Sequence, residues 1–149
     1  MKVGEVCNRE VVVADKETTV IDAAKLMRRH HVGDIVVVEN RKDPPVPVGI
    51  LTDRDIVVEL LANDVDVRLL SLGEVMTFDL ITAGEDEDIF ETLKKMKAPG
   101  VRRIPVVDGK GRLAGILAVD DLIELIAEQL GDLITLFRRQ EMREKEHRG

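Results

Sequence analysis

Two short stretches hold the side chains that could do chemistry. The first is Gly49-Ile50-Leu51-Thr52-Asp53-Arg54-Asp55-Ile56, and its edited copy is Gly115-Ile116-Leu117-Ala118-Val119-Asp120-Asp121-Leu122. In each, an apolar triplet with the character of a buried strand runs into a helix that continues as Ile56-Val57-Val58-Glu59-Leu60-Leu61 or Leu122-Ile123-Glu124-Leu125-Ile126. Such a junction delivers backbone N–H groups and a carboxylate to one point, where a phosphorylated ribose could sit. Thr52 and Asp55 also have the spacing of a capping arrangement, in which the hydroxyl caps the helix and the acid reaches back. The second copy replaces the hydroxyl with Ala118 and keeps the carboxylate as Asp121, whereas capping alone favours keeping the hydroxyl.

An internal repeat must position both junctions. Val3-Gly4-Glu5-Val6 returns as Leu72-Gly73-Glu74-Val75 at an offset of 69, which also carries Ala14 to Ala83, Met27 to Met96, Val32 to Val101 and Ile35 to Ile104. Beyond the central hairpin the offset falls to 66, which places three extra residues in the first copy's turn near Asn40-Arg41-Lys42-Asp43-Pro44-Pro45. Loops tolerate such insertions.

Each copy reads β-α-β-β-α. The first strands are Val11-Val12-Val13 and Leu80-Ile81-Thr82. Amphipathic helices follow from about 19 to 30 and from about 87 to 97, with Val20, Ala23, Ala24 and Met27 or Ile89, Leu93 and Met96 on one face. Acidic residues 85–88 suit the second helix's start, and Pro99-Gly100 stops it. Strand pairs Ile35–Val38 with Val46–Leu51 and Ile104–Val107 with Leu113–Leu117 come next, the second joined by the tight turn Asp108-Gly109-Lys110-Gly111. A half of this size is marginal alone, so the halves are expected to pack together. The expected divisions are 1–66, 67–128 and a helical extension, 129–149, with a stripe at 122, 126, 130, 133 and 137. Leu130, Leu133, Ile134 and Phe137 are the expected subunit contact in that extension.

Composition excludes several function classes. The 149 residues carry a formal charge of −7 and 2% aromatics with no Trp or Tyr, which disfavours a nucleic-acid partner by charge and by want of stacking platforms. One cysteine, Cys7, excludes an intrachain disulfide and a thiolate cluster, and fits a cytoplasmic setting. Cys7 replaces Met76 of the other copy and is expected to be a small buried apolar residue. No apolar run suggests a signal peptide or a membrane span. His30-His31 is too small a set for a metal site and suits a helix C-terminus. No nucleophile stands beside a base, so catalysis is not expected.

Two β-α-β-β-α repeats, each closing on Gly-apolar-apolar-x-x-x-Asp-apolar, resemble a tandem CBS-domain protein (a Bateman module) over residues 1 to about 128. The resemblance implies an α/β fold of two repeats about a pseudo-two-fold. It also implies an adenine ligand (AMP, ADP, ATP, NAD or S-adenosylmethionine), a homodimer and a sensor or regulatory role. It puts ribose binding on Asp55 and Asp121, and phosphate binding on Thr52, Arg54, Arg102 and Arg103, with Gly33 and Asp34 replacing the last two in the other copy. Adenine would lie against Ile35, Ile50, Pro105 and Ile116 and the backbone near Val13 and Thr82. Because family members often send the residue before the Asp across the two-fold, Arg54, Arg102 and Arg103 are expected at the Asp121 site, and Asp120 at the Asp55 site. The competing expectation is a non-catalytic interaction scaffold whose clefts stay unfilled.

Overall fold

The structure, a computed structural model, describes residues 1–39 and 43–148. The expected insertion at 40–45 therefore lies partly outside the described residues. Two compact units form, Met1–Leu117 and Ala118–Gly149.

In the first unit, α1 (Val3–Val6) precedes β1 (Val13–Ala14), α2 (Val20–His30), β2 (Asp34–Val38) and β3 (Pro47–Thr52). β1 runs parallel to β2, and β2 pairs antiparallel with β3. α3 (Asp53–Asp55) leads directly into a π-helical stretch, Ile56–Leu61, where the sequence pattern suggests one continuous α-helix. The second repeat supplies α4 (Leu72–Val75), β4 (Ala83–Gly84), α5 (Ile89–Lys97), β5 (Arg103–Val107) and β6 (Leu113–Ala118), with sheet order β4-β5-β6. β1 keeps only Val13 of the apolar triplet expected to form it, and β4 begins just after Thr82, the end of its own, because the paired residues are Val13 with Val36 and Ala83 with Val106.

Local chemistry accounts for the helix ends. The Thr19 hydroxyl accepts the Asp22 N–H at 3.1 Å, and the Asp88 carboxylate accepts those of Phe90 and Glu91. His31, at φ 55°, and Gly100, at φ 72°, close α2 and α5 in the left-handed region.

Alternate faces of β2 are both buried, which explains its unbroken apolar run. Ile35 and Val37 pack with Val20, Ala23, Met27, Leu51, Leu60, Leu72 and Met76. Val36 and Val38 pack with Ile116 of β6, so the two repeats share a core.

The segment before each repeat crosses to the other one. Val3 and Gly4 donate N–H bonds to the carbonyls of Glu87 and Glu85, and Ile89 donates to that of Met1. At the 69-residue offset the same bonds recur: Leu72 and Gly73 donate to Thr18 and Lys16, and Val20 to Leu70. Asn8 exchanges two 2.9 Å bonds with Ile116, while the Thr77 N–H reaches the Ile50 carbonyl. Packing of the two halves was expected; this exchange of leading segments has no local sequence signal.

The second unit is α6 (Val119–Arg148), a single long helix. A Cβ built at Gly131 meets nothing within 4 Å. Gly131→Ala is therefore expected to stabilise α6 by about 1 kcal/mol, because only backbone entropy changes. Slower amide exchange around residues 128–135 would register it.

Candidate functional site

β3 ends at Thr52, and the chain turns at once into α3. The Thr52 hydroxyl accepts the Asp55 N–H at 3.1 Å, and Asp55 Oδ2 accepts the Thr52 N–H at 2.9 Å. The reciprocal cap is therefore real. In the second unit Asp121 Oδ2 accepts the Ala118 N–H at 3.0 Å without any help from a hydroxyl. Retention of the carboxylate at 121 is thus explained by capping as well, and the loss of threonine there does not argue against it. In both copies the described bond engages Oδ2, which leaves Oδ1 as an acceptor for a ligand hydroxyl.

A cleft of about 440 Å³ opens over Asp55. Ile50, Thr52, Arg54 and Asp55 come from the first repeat, and Arg102 and Arg103 from the second. Those arginines were expected at the other carboxylate, with Asp120 facing Asp55. In the structure Arg54, Arg102 and Arg103 all line the cleft of Asp55. The reason is the exchange of segments described above, which sets the strand end of one repeat against the loop before β5 of the other. Asp53 and Asp79 share the lining, so three carboxylates balance three guanidinium groups. A ligand phosphate gains from an arginine already paired with a carboxylate only by drawing it away from that partner.

One arginine is already engaged. Arg103 Nε lies 3.2 Å from Asp34 Oδ1, and the two residues occupy equivalent positions in the repeats, joined across the internal two-fold. The Asp34 side chain is only 14% exposed. Burial pushes its carboxyl above the ordinary value, the Arg103 charge pulls it back, and the neighbouring Asp53 pushes it up again. Among the described residues Arg54 and Arg102 carry no ion pair, which leaves them as the cleft's available cations.

The expected adenine walls separate. Ile50 lines the cleft. Ile35 is wholly buried in the core, so its side chain offers a ligand no surface, and Pro105 is buried too. Ile116 packs against Val36 and Val38. The Thr82 carbonyl accepts a 3.1 Å bond from Lys95. Val13 lines a different hollow, about 450 Å³, with Asn8, Glu10, Val11, Val12, Leu26, His30 and Val32. Sequence reasoning missed Thr77, Leu80 and Ile81 as lining residues of the Asp55 cleft. Leu80 and Ile81 are legible as an apolar pair, but only the crossing of segment 70–77 onto the first repeat brings them there.

Comparison with known proteins decides the family. The CBS domain model matches residues 3–62 and again 72–128. The chain belongs to the CBS-domain family. An uncharacterized protein from Methanopyrus kandleri is 34% identical over 84% of this chain, and the match spans 62% of that relative's length. CBS domain-containing protein YhcV of Bacillus subtilis is 32% identical over 88% of this chain and 91% of its own. Among solved structures, the CBS domain pair of protein MJ0100, in complex with 5-methylthioadenosine and S-adenosyl-L-methionine, superposes with a TM-score of 0.74 at 27% identity, covering 87% of this chain and 98% of that one. The architecture of two CBS repeats with a long C-terminal helix is thus established, and no described helix is long and apolar enough to cross a membrane.

Proposed function

We propose that this CBS pair is a regulatory module that binds an adenosine-containing metabolite in the Asp55 cleft and signals through a homodimer or a protein partner. One observation carries the reading: Asp55, Arg54 and Arg102 converge with Ile50, Leu80 and Ile81 in one hollow of about 440 Å³, within the size range of small-molecule sites. The carboxylate suits a ribose diol, the arginines suit phosphate or another acidic tail, and the apolar side chains suit a purine face. Asp121 is the equivalent ribose ligand in the second copy, without the threonine hydroxyl. The solved CBS pair with bound adenosyl compounds supports the ligand class. AMP, ADP, ATP, NAD and S-adenosylmethionine are the candidates. The proposed module is not an enzyme, and a cytoplasmic setting accords with its single cysteine.

A melting panel with those five compounds tests this. A true ligand at about 100 times Kd stabilises by about 2.7 kcal/mol. Asp55→Ala is expected to remove the shift for every active compound. Arg102→Ala is expected to weaken phosphate-bearing ligands about tenfold and leave uncharged ones alone. No shift with any purine compound would leave the second reading, an interaction scaffold, which the exposed apolar face of α6 favours.

A further inference from the structure

The first half of α6 carries only acids: Asp120, Asp121, Glu124, Glu128 and Asp132, with no Lys or Arg up to Phe137. From Arg138 to Arg148 the helix has five cations (Arg138, Arg139, Arg143, Lys145, Arg148) against three acids. Between and across these halves runs an apolar seam. Leu122, expected at its head, is buried, and the exposed members are Ile123, Ile126, Leu130, Leu133 and Phe137, each 44–67% exposed. Their spacing alternates three and four residues, the a/d repeat of a two-stranded coil rather than the wider stripe of a helix on a globular core. Ile134 and Leu136 flank the seam and are also more than half exposed.

From this pattern we infer that α6 pairs with α6 of a second copy of this chain, antiparallel, with Leu130 at the level of Leu133 of the partner subunit. Charge sets the direction. A parallel pair would lay five acids beside five acids, whereas the antiparallel pair lays each acidic half along its partner's basic half. In this register Ile126 meets Phe137 of the partner subunit, and Ile123 meets Gln140 of the partner subunit at the ends. Burying the seam and its flanks on both copies removes roughly 1,200 Å², the lower edge of what a stable dimer uses. The inference deepens the homodimer part of the proposed function and rests on nothing about the ligand.

The experiment uses the full chain without any nucleotide, so its failure is separate from failure of the melting panel. Sedimentation velocity from 1 to 100 µM is expected to show a dimer that Leu133→Glu weakens at least tenfold, while circular dichroism shows the fold retained. In a Cys7→Ser background, chains with Ile123→Cys are mixed with chains with Gln140→Cys under mild oxidation. The mixed disulfide is expected to outpace both same-site disulfides tenfold. Faster 123–123 or 140–140 linkage would mean a parallel pair and overturn the inference. A monomer throughout the range, or a dimer indifferent to Leu133→Glu, would overturn it equally.

Discussion

Gly115→Ala is expected to destabilise the protein by about 3 kcal/mol, well beyond the effect of the same change at Gly49. A Cβ built at Gly115 falls 2.8 Å from the backbone oxygen of Asn8 and 2.7 Å from Cys7 Sγ. The thiol can rotate away, but the carbonyl cannot. It accepts the Ile116 N–H at 2.9 Å, and the Asn8 N–H in turn reaches the Ile116 carbonyl. Relief therefore requires the leading segment to move off β6, at a cost of about 1–3 kcal/mol for overpacking plus about 1 kcal/mol per hydrogen bond weakened. At Gly49 the obstacle is the Met76 side chain, with Cγ at 2.8 Å and Cβ at 3.0 Å, and an unbranched thioether can repack. About 1–2 kcal/mol is expected there. Urea denaturation of both variants checks the order. Equal and small losses would mean that the crossing segment yields easily and does not clamp the repeats together.

That contrast bears on what the sequence made legible. The offset of 69 identified equivalent positions, and the structure keeps that equivalence down to individual backbone bonds, such as Val3 to Glu87 and Leu72 to Thr18. Periodicity located α2 and α5, since a helix buries residues three and four apart whatever it packs against. The Thr52–Asp55 cap was readable because capping depends on residues three apart. The exchange of leading segments was not, because Gly4 meets Glu85 across a distance in sequence that leaves no local pattern. Ile35, assigned to the adenine wall by resemblance, is buried in the core. Alternate residues of β2 face opposite cores, so a shift of one residue separates Ile35, packed with α2, from Val36, packed with Ile116 of the other repeat. The π-helical turn at Ile56–Leu61 is also beyond a hydropathy pattern, which does not distinguish it from an α-helix.

Arg103→Ala is expected to make stability more sensitive to pH. In the native protein Asp34 is largely buried and its carboxyl already lies above the ordinary value, with Arg103 holding it down against burial and Asp53. A carboxyl whose native pKa exceeds its unfolded one binds its proton more tightly when folded. Its stabilising contribution is therefore complete below the unfolded value, about 3.9, and is lost as pH rises through the native one. Removing Arg103 lets the native value climb, so the penalty for ionising Asp34 in place grows and reaches its full size at neutral pH. A loss of about 1–3 kcal/mol relative to the parent is expected at pH 7, shrinking toward pH 4 as the carboxyl stays protonated. Asp34→Asn in the same background should restore most of the loss at pH 7, because the neutral amide needs no counter-charge. Denaturant titrations of the parent, Arg103→Ala and the double variant between pH 4 and 7.5 measure this directly. A loss that is flat with pH and unrelieved by Asp34→Asn would show that Arg103 acts through packing alone. The pair would then not be the electrostatic tie between the two repeats.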